Sequence, residues 1–202
     1  MISLGFLCAF LVDILVSFVY YTQTEQHMKP MEKTEMWFEK LAKWIEKRGG
    51  MRELYRKDED GSPKLYMRRY YLVKSKYFEL MIHQFFMSDA KDVHDHPWAS
   101  FGRILKTGYL EVMGDNAYAL QRNAGDWSWR GAKDFHRVYL KPGTEGKVWT
   151  LFGTLKRVRK WGFLVNREWV PFDDYFKANG TFEVQSAPEQ YRGVILPKKV
   201  VG

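Results

Sequence analysis

Three of the five histidines in this 202-residue chain lie in two short stretches. His94 and His96 belong to the sequence HDHPW, and His136 follows in the sequence DFHRV. Residues two apart on a strand point to the same face, so His94 and His96 direct their imidazoles into one space. A third imidazole from a neighbouring strand would complete a three-nitrogen face with positions open for water or substrate. Two hypotheses stay open: a metal site, or three ordinary histidines in a β-rich core.

The residues around these histidines suggest how a site would be supported. Imidazole suits iron, zinc, copper and nickel alike, so the ligand type does not select a metal. Polar side chains usually orient metal-bound histidines, and the nearby candidates are Asp95, Arg130, Asp134 and Arg137. Arginine can hold a carboxylate or phosphate through two hydrogen bonds, and the candidates for gripping an anionic substrate are Arg69, Arg130, Arg137 and Arg159.

Two further side chains are expected near the site. Trp98 directly follows the HDHP residues and is the tryptophan best placed to contact a substrate. His83, within the apolar run LMIHQF, is expected in the interior of the β-domain near the site, with direct metal binding as its minor alternative.

The elements that must position these residues are short strands. The turn cluster DEDGSP separates RELYRK from KLYMRRYYLV, and the run YFELMIHQFFMS precedes HDHPW. Further strand-like runs follow up to WGFLV, with almost no helical pattern between them. This spacing indicates an all-β barrel or sandwich. Hydrophobic residues make up 46% of the chain, which is enough to form a packed core.

One amphipathic helix is predicted before the strands, over residues 34–48. Thr34 can cap its first turn, and Gly49 and Gly50 end it. Apolar side chains recur on one face at helical spacing, and they are Trp37, Phe38, Leu41, Trp44 and Ile45. We expect this face to pack on the main domain.

Residues 1–21 are apolar except for Asp13, and their length suits a bilayer span. The lysines that follow would leave the C-terminal body in the cytoplasm by the positive-inside tendency. Three interpretations stay open. The segment is a membrane anchor, a helix used for oligomerisation, or a stretch upstream of the true start of translation.

The charge and the cysteine content limit the kinds of partner, disulfide and metal site that are possible. The net charge of +8 makes anionic molecules, nucleic acids and anionic lipids acceptable partners. Basic and aromatic residues interleave in LKRVRKWGF, but the run is too short to be a strong nucleic-acid signal. The single cysteine, Cys8, excludes an intramolecular disulfide and every cysteine-based zinc site, and it fits a reducing compartment.

Two motifs around these histidines resemble those of the cupin superfamily. HDHPWASFGRILKTGYLE resembles the first cupin motif, in which HxH precedes a strand and a glycine turn, and GDWSWRGAKDFHRV resembles the second. The resemblance covers roughly residues 64–165. It implies a double-stranded β-helix, or jelly-roll barrel, with an N-terminal helix or helices. It also implies that His94, His96 and His136 bind the metal.

The domains expected from pattern and resemblance together are four. Residues 1–21 form the apolar helix, 22–50 a linker with the amphipathic helix, 51–178 the barrel, and 179–202 a C-terminal arm.

A closer likeness is to the thiol dioxygenases and to small uncharacterised cupin-like proteins of viral and bacterial genomes. The latter carry HDHPW, Gly-Tyr-x-Glu, His-Arg and Trp-Gly-Phe, all of which occur here. Many cupins place a glutamate ligand four or five residues after the second histidine, where this chain has Ser100 and Phe101. Thiol dioxygenases share the lack of a carboxylate ligand. Some of them have a cysteine cross-linked to tyrosine at this position, and this chain has none. Glu111 is interpreted as a turn residue or as a residue that supports the ligands.

The resemblance to thiol dioxygenases implies Fe(II) and O2 chemistry, with Zn, Ni and Mn as the other metals. The chain is accordingly predicted to be a non-haem iron oxygenase acting on a small anionic substrate, one that contains a thiol if the resemblance extends that far. Arg130, Arg137 and Trp98 are expected to contact this substrate. A non-catalytic module that binds a small ligand or a partner is the alternative, and a homodimer is compatible with either.

Overall fold

The computed structural model describes residues 30–57, 62–114, 118–179 and 184–185. The predicted apolar helix at residues 1–21 and nearly all of the predicted arm at 179–202 lie outside these ranges. The chain divides into a unit of residues 1–39 and a unit of residues 40–202, and every described strand belongs to the second. Among the described helices, none has the length and apolarity required to cross a bilayer.

Helix α1 spans Pro30–Lys47, so it begins four residues before the predicted start at Thr34. Proline suits the first turn of a helix, because its missing N–H would have no partner there. Phe38 and Ile45 of the predicted apolar face are buried, whereas Trp44, also predicted on that face, is 44% exposed. The chain leaves the helix at Gly49, whose φ of 71° is the left-handed conformation common after helix ends.

Twelve strands and a second helix follow among the described residues. The strands are β1 (Met51–Lys57), β2 (Pro63–Lys74), β3 (Glu79–Phe85), β4 (Ser100–Lys106), β5 (Gly108–Met113), β6 (Tyr118–Asn123), β7 (Trp127–Arg130), β8 (His136–Tyr139), β9 (Val148–Thr154), β10 (Gly162–Val165), β11 (Glu168–Pro171) and β12 (Val184–Gln185). Helix α2, Phe172–Asn179, was not predicted from the sequence.

The first wall of the barrel is a seven-stranded antiparallel sheet in the order β12-β1-β2-β3-β9-β4-β7. Its inner face follows the alternation of each strand, because side chains two apart share a face. Strand β3 therefore directs Met81, His83 and Phe85 inward, and β9 directs Thr150 and Phe152 to the same side.

The second wall contains the three strands β6-β5-β8 and the hairpin β10-β11. Residues 93–95 join these two parts. His94 exchanges two backbone hydrogen bonds of 2.9 Å with His136 of β8, and the N–H of Leu164 in β10 donates to the carbonyl of Val93 at 2.9 Å. The HDH segment thus occupies the middle of the second wall, between β8 and β10.

The core between the two walls contains side chains of both sheets. This cluster consists of Leu54, Tyr66, Met67, Phe85, Ile104, Tyr109, Val138, Leu140 and Val148. The predicted all-β jelly-roll barrel with an N-terminal helix is confirmed.

Two glycines in the sequence motifs are explained by their neighbours. Gly108, at the start of β5, has a φ of 99°, and a Cβ there would lie 2.2 Å from the carbonyl oxygen of Arg122. A Cβ on Gly162 would lie 2.2 Å from the carbonyl oxygen of Val170 across the β10-β11 hairpin. Only glycine fits either position, because no side chain can occupy space already filled by backbone.

Candidate metal centre

The backbone places the three histidines on one inner face. His94 and His96 are two residues apart in an extended segment, so their side chains point the same way. His94 and His136 lie directly opposite each other in an antiparallel bridge, and opposite residues share a face. The prediction that the three imidazoles share one space is confirmed.

The three imidazoles form a nearly equilateral triangle. Each pair of ring centroids is 5.0 Å apart. The Nε2 atoms of His96 and His136 are 2.7 Å apart, and one nitrogen from each ring lies within 4.8 Å of the others. Among the described residues this is the only cluster of three metal-binding side chains.

All three imidazoles are held in the neutral form. Burial lowers the pKa of His94 to about 4, although the carboxylate of Asp89 acts in the opposite direction. Burial also lowers the pKa of His96 and of His136, and the charge of Arg130 lowers both further. Neutral imidazole is the form that binds a metal ion.

The donor set fits a divalent transition metal. The buried Nδ1 atom of His94 has no hydrogen-bond partner among the described residues, which is unusual for a buried polar atom. The Nδ1 atom of His136 is 2.9 Å from a carboxylate oxygen, so its Nε2 atom is the one free to bind a metal. No carboxylate belongs to the cluster, so the histidines alone would hold an ion.

Glu111 is the carboxylate that orients His136. It is fully buried on β5, diagonal to His136 on β8, and accepts the 2.9 Å hydrogen bond from the Nδ1 of that ring. Arg130 donates twice to the same oxygen, once from Nε at 2.7 Å, and Nε of Arg122 donates to the other oxygen at 2.6 Å. Burial alone would raise the pKa of Glu111, but the His136 hydrogen bond and the arginine charges hold that pKa far below its usual range.

A second buried carboxylate, Asp95, faces away from the histidines and fixes their loop. It accepts hydrogen bonds from the N–H of Gly162 at 2.8 Å, from Nε1 of Trp169 at 3.1 Å and from the guanidinium of Arg159. The loop between His94 and His96 is thereby tied to β10 and β11. The residue between the two ligands thus has a structural role on the outer side of the second wall.

An open cavity of about 210 Å³ adjoins the triangle. Trp98 stacks on His96 with ring centroids 6.3 Å apart, and Trp161 packs edge-on against His94 at 5.9 Å. Trp161 is itself stacked on Phe172 of helix α2 at 4.9 Å. The unpredicted helix α2 therefore supports the aromatic side chains behind His94.

The structure brings only some of the side chains expected to contact a substrate to the cavity. Trp98, Arg130 and Arg69 line the cavity. Arg130 donates its Nε and one terminal nitrogen to Glu111, so it supports the ligands as well.

Arg137 is not brought to the cavity. It follows His136 on β8 and points to the opposite face, where it donates to the carbonyl of Lys91 at 2.8 Å. Arg159 is engaged with Asp95 on the outer side of the HDH loop. Asp134 accepts a backbone hydrogen bond from Gly131 and is exposed.

Several supporting residues were not identified from the sequence. Asp89 accepts a hydrogen bond from Tyr66 and lies beside His94, and helix α2 supplies the aromatic packing. Glu111 was interpreted either as a turn residue or as a support of the ligands, and the hydrogen bond to His136 confirms the second interpretation. The sequence signal that points to Glu111 is its spacing from Tyr109, because residues two apart on a strand share a face.

Similarity to known proteins is found among solved structures. No family model and no curated protein matches the chain. A cupin superfamily protein from Desulfitobacterium hafniense is 16% identical, with 45% of this chain and 77% of that chain covered and a TM-score of 0.37. The polyketide cyclase RemF from Streptomyces resistomycificus is 14% identical, with 56% and 78% covered and a TM-score of 0.44. The Fe(II) form of HppE is 14% identical, with 52% and 56% covered and a TM-score of 0.41. At these identities and scores, none of them assigns a role to a residue of this chain.

Proposed function

We propose that the chain is a mononuclear non-haem iron enzyme that oxygenates a small anionic substrate. The observation that supports this is the triangle of three neutral imidazoles opening on one cavity. Held by His94, His96 and His136, an Fe(II) ion would supply open coordination positions and electrons for reaction with O2.

Residues around the three histidines would orient the metal ligands and limit the access of water. Glu111 holds the Nδ1–H of His136, which fixes the tautomer that presents Nε2 to the metal. Trp98, Trp161 and Phe152 surround the triangle with apolar surface that limits the access of water. The volume of about 210 Å³ lies below the roughly 300 Å³ at which pockets for drug-sized ligands begin, which favours a small substrate.

The charge of the site favours an anion. Three neutral imidazoles carry no charge to offset the two positive charges of a divalent ion, and a bound cation is commonly the largest local charge in a site. The carboxylate of Asp89, which lines the cavity beside His94, offsets one of these charges at most. Glu111 does not offset these charges, because two arginines already neutralise it. A thiol as the reacting group is favoured by the shared three-histidine pattern of thiol dioxygenases.

Metal analysis combined with oxygen uptake tests the proposal. Protein purified without added metal is expected to contain iron, and His136→Ala is expected to contain none. His83→Phe, a change at another buried histidine of the cavity, is the matched control and should keep the metal. Oxygen consumption is then measured with cysteine and related thiols.

The outcomes separate the alternatives. Iron with thiol-dependent oxygen uptake supports the oxygenase. Bound metal without oxygen uptake for any small thiol or carboxylate supports a binding module. Unchanged metal content in His136→Ala contradicts the three-histidine site.

A further inference from the structure

The outer face of the seven-stranded sheet exposes large aromatic side chains at its β4-β7 end. Trp129 on β7 is 72% exposed, Trp127 on the same strand is 49% exposed, and Phe101 lies opposite Trp129 on β4. Tryptophan is usually well buried, because its large ring is costly to leave in water. We term these three side chains the aromatic face, and a surface of this kind commonly marks a binding site for another molecule.

Strand alternation directs the aromatic face away from the metal cavity. Gly102 and Arg130 line the cavity, and they directly follow Phe101 and Trp129 in the sequence. Neighbouring residues on a strand point to opposite faces, so both rings point outward. Trp127 is two residues from Trp129 and shares its face. The cavity and the aromatic face are therefore two separate surfaces of the same strands.

The rings of the aromatic face are packed on the backbone of the sheet. A Cβ on Gly153 of β9 would lie 2.2 Å from the ring of Phe101, so this ring lies across β9 where no side chain intervenes. The ring centroids of Phe101 and Trp129 are 5.3 Å apart. Phe78 stacks on Phe101 from the other side, with centroids 6.4 Å apart. Phe101 is thus held between its neighbours, while Trp129 stays open to solvent.

Cationic side chains accompany the exposed rings. The guanidinium carbon of Arg103 on β4 lies 5.4 Å from the ring centre of Trp127. Nζ of Lys76 lies 4.8 Å from the ring centre of Tyr77, which is 57% exposed. Tyr77 directly precedes Phe78, so this second pair of a ring and a cation borders the aromatic face.

A basic loop continues the same surface. The N–H of Leu155 donates to the carbonyl of Ala99 at 2.9 Å, which extends the pairing of β9 with β4. The loop of residues 155–160 then reads LKRVRK, and its exposed basic residues are Lys156, Arg157 and Lys160. No acidic residue occurs in the sequences of β4, β7, β9 or this loop. The concentration of positive charge favours a polyanionic partner.

The combination of flat rings and cations limits the chemistry of that partner. A purely apolar partner would bury the cations without compensation, and a simple anion would leave the rings uncovered. An unpaired nucleotide carries both an aromatic base and a negative phosphate. Proteins bind such strands by stacking bases on exposed aromatic side chains and by lining the backbone path with basic residues. In a duplex the faces of the bases are already stacked on one another.

We propose that the aromatic face and the basic loop bind single-stranded nucleic acid. Bases would stack on Trp129 and Trp127, and phosphates would contact Arg103 and the basic loop. The binding would tolerate many sequences, because every base has a flat face. The inference goes beyond the proposed iron chemistry and does not depend on it, because the metal site opens on the other side of the sheet.

Fluorescence anisotropy tests the proposal on the full-length protein, with labelled oligothymidylate and oligouridylate of about 12 nucleotides. Both should bind with a Kd of about 1–100 µM at physiological salt, the range of sequence-independent binding. An abasic strand of the same length keeps the phosphates but offers no rings to stack, and it should bind at least about tenfold more weakly. No saturable binding of the two oligonucleotides, or equal affinity for the abasic strand, would overturn the proposal.

Variants of one tryptophan test the stacking. Trp129→Ala should weaken binding about 5- to 150-fold, the range for the loss of one stacked base, and Trp129→Phe should restore most of the affinity. Tyr139→Ala is the matched control, because Tyr139 is 43% exposed and lies beside Arg137, but on β8 of the second wall. Its affinity should equal that of the wild type. Equal losses in Trp129→Ala and Tyr139→Ala would overturn the proposal.

The salt dependence tests the phosphate contacts. Arg103→Gln should make the slope of log K against log salt concentration less steep by about 0.7, the value for one phosphate of a single strand. Arg103→Lys keeps the charge and should keep the wild-type slope. An unchanged slope in Arg103→Gln would overturn the assignment of Arg103 to a phosphate.

Other occupants of the aromatic face would give different results. Sedimentation with vesicles of phosphatidylserine and phosphatidylcholine that is lost in Trp129→Ala, without oligonucleotide binding, would identify a membrane surface. Dimerisation in analytical ultracentrifugation that is lost in the same variant, without oligonucleotide binding, would identify a second copy of the chain. Either result would overturn the proposal.

Discussion

The two walls of the cavity treat their polar groups in opposite ways. On what we term the ligand wall, the buried carboxylates behind the histidines accept hydrogen bonds at both oxygens. The ligand wall comprises His94, His96 and His136 with Glu111 and Asp95 behind them. On what we term the sheet wall, Nε2 of His83 has no hydrogen-bond partner among the described residues, and Nε of Arg69 donates only to the sulfur of Met67. The sheet wall comprises Arg69, His83, Thr150 and Phe152.

The difference distinguishes polar groups that stabilise the fold from a polar group that is available to a bound ligand. Each charged group behind the ligands should stabilise the fold, because the removal of one partner leaves the others buried and uncompensated. The unpartnered nitrogen of His83 costs stability in the absence of a ligand, a pattern expected at binding sites. Substitution of the carboxylates on the ligand wall should therefore lower stability, whereas substitution of His83 should not.

The largest expected effect is at Glu111. Replacing its carboxylate in Glu111→Gln leaves Arg130, which is 3% exposed at its side chain, without a counter-charge. The free energy of unfolding should fall by about 3–5 kcal/mol. Urea denaturation of the metal-free protein measures the loss. Glu53→Gln, whose partner Arg68 is 34% exposed, is the matched control and should cost at most about 1 kcal/mol. Equal losses in the two variants would show that the burial of the Glu111 ion pairs adds nothing to their contribution to stability.

Asp95 should show an intermediate effect. Asp95→Asn keeps one acceptor oxygen but removes the charge that binds Arg159 and Trp169. We expect a loss of about 1.5–3 kcal/mol, as for hydrogen bonds to a charged group. Because this carboxylate holds the HDH loop, metal retention during dialysis should also decrease. Full stability together with full metal retention would show that the loop is held by other contacts.

The fold and the ligand set were predictable, whereas the supports of the ligands were not. The alternation of His94 and His96 depends on local geometry, and local geometry can be read from the sequence. The contacts of Glu111 depend on which strands pair, and β5 meets β8 across a gap of more than twenty residues. Helix α2 could not be predicted, because it is only eight residues long and its four aromatic or apolar side chains are compatible with a strand as well as with a helix. The position of Arg137 next to His136 in the sequence predicts a contact with the substrate, but strand alternation directs its side chain to the opposite face, where it donates to the carbonyl of Lys91.

Acid should destabilise the metal-free protein in two steps. Burial depresses the pKa of His83, His94, His96 and His136 below about 6.5, so below that pH the unfolded chain binds protons that the folded chain does not. Each such histidine lowers stability by up to about 1.4 kcal/mol per pH unit, down to its folded pKa, which for His94 is about 4.

The second step belongs to Glu111, whose pKa is also depressed in the folded state. Its contribution is fully present above a pH of about 4.5, the ordinary value, and is lost as the pH falls below it. Thermal melts from pH 7 to about pH 2 measure both steps. His83→Phe should make the first step shallower by up to about 1.4 kcal/mol per pH unit and leave the second unchanged. A variant with the wild-type profile would show that folding does not lower the pKa of His83.

The smallest expected change in stability, and the sharpest contrast with Glu111, is at His83 near neutral pH. His83→Phe removes a buried nitrogen that has no partner and adds apolar surface beside Phe152 and the 210 Å³ cavity. We expect the unfolding free energy to stay the same or to rise by up to about 1 kcal/mol, because the cost of an unpaired polar atom is relieved. Urea denaturation of the metal-free protein at pH 7.5 measures the change. A loss of 2 kcal/mol or more would mean that Nε2 of His83 has a partner within the folded chain. The nitrogen would then contribute to folding, and the contrast with the hydrogen-bonded carboxylates of the ligand wall would be lost.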